Sequence, residues 1–158
     1  MFKSKWIMVS AFLACAFLLP ATASAKKRVE RPMKIKSDAV VIVNPTLWTA
    51  TVTEVGEETH LGRFTSEGSA TAAFDDQGVF FLHYLTDWTA ANGDILHLEG
   101  NVYGLPDGGF TMNFWVIGGT GRFEGATGGW GDDVTPYYSN VVVDPDTGLI
   151  INTFSYKI

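Results

Sequence analysis

From Asp38 onward the chain alternates apolar and polar residues with period two. In Gly109–Gly118, Phe110, Met112, Phe114 and Val116 fall on one face, with Thr111, Asn113, Trp115 and Ile117 on the other. In Asp94–Tyr103, Leu96, Leu98 and Val102 oppose His97, Glu99, Asn101 and Tyr103. In Val79–Thr89, Phe80, Leu82, Tyr84 and Trp88 oppose His83, Asp87 and Thr89. Such alternation predicts strands with one face on a core and the other wet or half-covered. No window carries the 3.6-residue apolar period of a helix.

Turn residues punctuate these runs: Asn44-Pro45, Gly56-Glu57, Asp75–Gly78, Asn92-Gly93-Asp94, Pro106–Gly109, Gly118–Gly121, Gly128–Asp133 and Asp144–Gly148. The Asn-Gly in the loop before Asp94 is a strong hairpin signal. The spacing predicts strands near 39–43, 47–55, 59–65, 68–74, 79–89, 94–103, 109–118, 125–130, 137–143 and 149–157. Short sequential connections favour neighbouring hairpins over the crossings of a sandwich. Closing that meander removes exposed edges, so the expected fold is all-β, an antiparallel eight-stranded barrel.

The 158 residues are 46% apolar and 13% aromatic, with 17 Gly and 6 Pro. This excludes a disordered chain, a collagen-like repeat and a coiled coil. The first 25 residues read as a signal peptide: Lys3 and Lys5, the uncharged apolar run Trp6–Leu19, then the small-x-small site Ala23-Ser24-Ala25. Cleavage is expected after Ala25, giving a secreted or periplasmic protein. Phe12-Leu13-Ala14 before Cys15 is a poor lipid-attachment motif, so the mature chain is expected to hold no cysteine, no disulfide and no thiol nucleophile. No later apolar run is long enough to span a membrane as a helix.

Charge divides the mature chain into a basic arm, 26–37, and a domain, 38–158. Six basic residues and only Glu30 lie between Lys26 and Lys36, whereas three basic residues stand against sixteen acidic ones from Ser37 onward. A body of net −13 repels nucleic acid, and none is expected as a partner. The arm reads as a solvated N-terminus.

Gly118-Gly119-Thr120-Gly121-Arg122-Phe123-Glu124-Gly125-Ala126-Thr127-Gly128 is the most distinctive stretch. It is not a dinucleotide loop, because Glu124 stands where the third glycine belongs and would repel a pyrophosphate. The expected role is structural: a tight turn that needs positive φ at Gly121, one short helical turn, and Phe123 plugging the barrel. With the alternating strand before it, this segment resembles the G-G-T-G-x-F-x-x-A-x-G signature of the allene oxide cyclase-like and dirigent-like β-barrels. Thr59–Thr65 (T-H-L-G-R-F-T) and Thr89–Asp94 (T-A-A-N-G-D) are similar to motifs of small secreted bacterial proteins of that superfamily. The resemblance implies a calycin-like barrel. Plant members include a cyclase and proteins that steer radical coupling, but no catalytic residue of theirs finds a matching position here.

His60, His83 and His97 lack metal-ligand spacing, and Asp144–Gly148 lacks the third ligand and the glutamate of a calcium loop. No metal and no cofactor is expected. Aromatic residues flanked by Asn and Asp suit a sugar or an aromatic ligand. The expected ligand-binding set is Arg63, His83, Trp88, Trp115 and Arg122, with Glu54 and Asp87 as further polar groups near a barrel mouth. The arginines, as the fixed positive charges of an acidic body, are expected to favour small apolar anions. The function expected is a non-catalytic exported module that binds a small apolar or aromatic ligand or a partner surface, its oligomeric state open. The alternative is an isomerase or cyclase, which needs an open cavity with a titratable group inside.

Overall fold

A computed structural model describes residues 32–157. The expected signal peptide and cleavage site, Cys15 and the expected arm as far as Arg31 lie outside the described residues. Nine antiparallel strands form one sheet: β1 (Ile35–Asn44), β2 (Thr49–Glu58), β3 (Gly62–Phe74), β4 (Phe80–Ala90), β5 (Ile95–Gly104), β6 (Phe110–Gly119), β7 (Gly128–Tyr137), β8 (Asn140–Val143) and β9 (Ile150–Lys157). The one helical element among the described residues is a single 3-10 turn, Gly121–Phe123. β1 begins inside the stretch assigned to the arm.

The strand order is β7-β6-β5-β4-β3-β2-β1-β9-β8. It is a sequential meander whose N-terminal strand also pairs with the C-terminal one, from Lys36↔Lys157 to Val43↔Ile150. The eight-stranded closed barrel expected from sequence is therefore corrected to a nine-stranded sheet with two ends. The ends are β7 and β8, separated in the chain only by Tyr138 and Ser139. That break divides the strand expected at 137–143. Its first residue ends β7 and its last four form β8, which pairs with β9 alone.

Two further boundaries differ from the sequence reading. The strands expected at 59–65 and 68–74 form one thirteen-residue β3, and Gly56-Glu57 lies inside β2. Gly56 marks a close approach rather than a turn, since a Cβ there would stand 2.7 Å from the Lys36 carbonyl oxygen. At Gly100 of β5, likewise, a Cβ would stand 2.4 Å from the Asn113 carbonyl oxygen and 2.5 Å from the Tyr84 ring. An inward-facing glycine under a large ring lets a sheet bend around its contents. The real β2–β3 turn follows Glu58, whose carboxylate accepts the His60 and Leu61 amides at 2.7 Å each.

The sheet curls until its flanks touch. Phe110 on β6 meets Phe154 on β9 edge to face, with ring centroids 4.8 Å apart, and Tyr137 on β7 meets Tyr156 on β9. Inside are two apolar clusters. The larger centres on Phe64, Trp88, Leu98 and Phe114, and the smaller joins Val41, Val43, Ala50, Ala70, Ala72 and Leu82. Phe64 stacks on Trp88 at 4.5 Å, and Trp88 tilts against Phe114. The inner positions are those the period-two pattern assigns to the core.

Candidate functional site

Where the two clusters meet, β2 places Glu54 facing inward. Its carboxylate accepts hydrogen bonds from the Trp88 indole N–H at 3.1 Å and from the Tyr156 hydroxyl. Burial pushes the Glu54 carboxyl above the ordinary range, against the lowering effect of its Ser37, Tyr156 and Trp88 bonds. Burial, reinforced by the Glu54 charge, also raises the Tyr84 and Tyr156 hydroxyls, so both remain donors. The sequence reading names Glu54 only as a polar group near a mouth. Its place on the inner face was signalled by the alternation Ala50, Val52, Glu54.

The space beside this cluster is small. A void of about 40 Å³ is lined by Val41, Glu54, Leu82, Tyr84, Trp88, Met112 and Tyr156, among others. A space of that size admits a few waters at most and not an organic molecule. Among the described residues the interior thus holds a titratable group beside a small void.

The five residues expected to bind ligand do not converge. Trp88 is inside, only 2% exposed. Trp115 is on the outer face of β6, 46% exposed, directly opposite Glu99 of β5. His83, on the outer face of β4, bonds Glu99 through Nε2 at 2.9 Å. On the same two strands His97 Nδ1 lies 2.6 Å from Asp87. The histidines thus each take a carboxylate rather than one another, because their strands pair His83 with Asn101 and His97 with Asp87.

Both arginines are engaged elsewhere. Arg63, at the start of β3, is largely exposed and lies 3.4 Å from Glu57. Arg122 donates to the Leu61 carbonyl at 3.1 Å, approaches Asp94 at 3.6 Å and rests over the Phe123 ring. It ties the β2–β3, β4–β5 and β6–β7 connections together at one end of the sheet.

The glycine segment forms a tight turn with one 3-10 turn in it. Gly121 has φ +58°, and a Cβ there would fall 1.9 Å from Asp94 Oδ1. Thr120 accepts the Phe123 amide through its carbonyl, and its hydroxyl accepts the Ile95 amide. Gly118, Gly125 and Gly128 also take positive φ, while a Cβ on Gly119 would strike the Ile95 carbonyl oxygen. Phe123 is half-buried against the larger cluster, a cover at its rim rather than a plug within it.

The outer face also carries an open groove of about 590 Å³ across β1–β4. Ile42, Leu85 and Leu149 form apolar walls, Thr49, Thr51, Ser69 and Thr71 a hydroxyl floor, and His83 one end. Leu85 pairs with Glu99, which pairs with Trp115, so beyond this groove the row across the strands runs from leucine through a carboxylate to the tryptophan. Comparison with family models, curated proteins and solved structures finds no match to the chain.

Proposed function

We propose that this chain is a non-catalytic exported module that works through the outer face of its sheet, where it takes a small apolar or aromatic ligand or a partner surface. One observation carries the reading: the interior leaves a void of only about 40 Å³, whereas Trp115, Ile117 and Leu85 are all exposed outside. Exposed large apolar side chains that adjoin one another mark binding surfaces. In this reading the curled, filled sheet is an open relative of the allene oxide cyclase-like and dirigent-like β-barrels. The meander order and the two-residue link between its end strands support that likeness. A cyclase acting inside the barrel would have to displace the Trp88, Tyr84 and Tyr156 side chains around Glu54.

The test is a panel of aromatic and fatty compounds screened by thermal shift and tryptophan fluorescence, in the wild type and in Trp115→Phe. Hits are expected to change emission in the wild type and to leave the Trp115→Phe signal, which retains Trp88, unchanged. A compound that perturbs Trp88 in Trp115→Phe would mean that the interior opens, and would favour the cyclase alternative.

A further inference from the structure

The outer face of β4–β6 combines apolar surface with negative charge. Trp115, Ile117 and Leu85 stand about half exposed. Around them are the carboxylates of Glu99 and Asp87, both substantially solvent-exposed, with Glu67 of β3 directly across from Asp87. From Ser37 onward the chain has only three basic residues, and none is on these strands: Arg63 is on β3, Arg122 in the 3-10 turn and Lys157 on β9. The face therefore sets Glu99 between Leu85 and Trp115, pairs Glu99 with His83 and Asp87 with His97, and has no Lys or Arg on these three strands.

We infer that this face binds lipophilic organic cations: a positive centre carried on an aromatic or aliphatic body. The body lies on Trp115 and Leu85. The positive centre is drawn by the Glu99 and Asp87 carboxylates and by the electron-rich face of the indole. An anion of the same shape would meet the same apolar contact and a repulsive field, in a body of net −13. This reverses the anion preference expected from sequence, because both arginines are held away from Trp115 by their own partners. The inference rests on the reading that the outer face, not the interior, is the working surface.

Tetraphenylphosphonium and tetraphenylborate have nearly the same size and opposite charge. Both are titrated against the mature protein at pH 7.5, with tryptophan emission and calorimetry as readouts. The cation is expected to bind at least about tenfold more tightly, and raising the salt from 20 mM to 300 mM is expected to narrow the gap, as screening requires. Glu99→Gln should weaken cation binding about fivefold and leave the anion unchanged. Trp115→Ala should abolish both. Equal affinity for the two ions, or tighter binding of the borate, overturns the inference while leaving an outer apolar site standing. A cation signal that persists in Trp115→Phe as a change in Trp88 instead overturns the outer-face reading itself. Circular dichroism of each variant shows that the sheet is intact.

Discussion

Glu54 is the residue whose chemistry is least matched to its surroundings. It is held between a phenol, an indole and apolar side chains, and its proton is bound more tightly in the folded chain than in the unfolded one. Stability from such a group is complete below the unfolded value, near 4.5, and drains away as the pH rises through the elevated folded value. Glu54→Gln keeps the shape and removes the titration. Relative to this variant, the wild type is expected to lose stability as the pH rises above about 4.5, as measured by urea unfolding at each pH. Parallel pH profiles for the two proteins would contradict a tightly protonated Glu54. Asp107 and Asp144 act in the opposite direction, because backbone amides hold their carboxyls low, and they cancel from the difference between the two proteins. At this scale the sequence revealed the face of each side chain and little else. Period two puts Trp88 inside and Trp115 outside, yet it does not say which carboxylate a histidine will find. That choice depends on register, and one residue of slip would turn one strand's polar side chains to the core face and part both histidines from their carboxylates.

Among elements, the hairpin turns were legible because their chemistry is local. Asp144 accepts the amides of Asp146 and Thr147, and Asp75 those of Gln77 and Val79, as turn-forming aspartates do. Gly56 inside β2 misled, since a glycine placed for close approach reads like one placed for a turn. The 3-10 turn after β6 is the element with the clearest energetic consequence. Phe123 covers the rim of the larger cluster and is only half-buried, so Phe123→Ala should cost roughly 1.5–3 kcal/mol, less than the ~3–5 kcal/mol of a fully enclosed aromatic. Phe114→Ala, at 2% exposure, should fall in that higher range. Urea unfolding of both variants checks the order. A larger loss at Phe123 than at Phe114 would mean that the turn carries more of the core than its exposure indicates.

At the scale of the whole molecule, the all-β class and the sequential order follow from turn spacing. Failure of the sheet to close does not, since it depends on where the chain breaks between Tyr137 and Asn140. The terminal strands are the decisive pair. β9 brings Phe154 to Phe110 and Tyr156 to Glu54, so removal of residues 150–157 deprives both the aromatic core and the buried acid of their partners. That truncation is expected to abolish the cooperative thermal transition seen by circular dichroism. A circular permutant that joins residue 157 to residue 32 by a short glycine-serine linker, and opens at Asn92-Gly93, should retain it, because β1 and β9 already lie side by side.

The pairing of β1 with β9 also sets an order in time. A ribosome delivers β1 first and β9 last, with more than a hundred residues between them, so one whole side of β1 waits for the final strand. Until then Glu54 lacks the Tyr156 hydroxyl and the larger cluster lacks its last rings. The growing chain consequently stays short of its stable state until synthesis is nearly complete. For the exported module proposed above, that delay would keep the polypeptide open for threading through a narrow secretion channel.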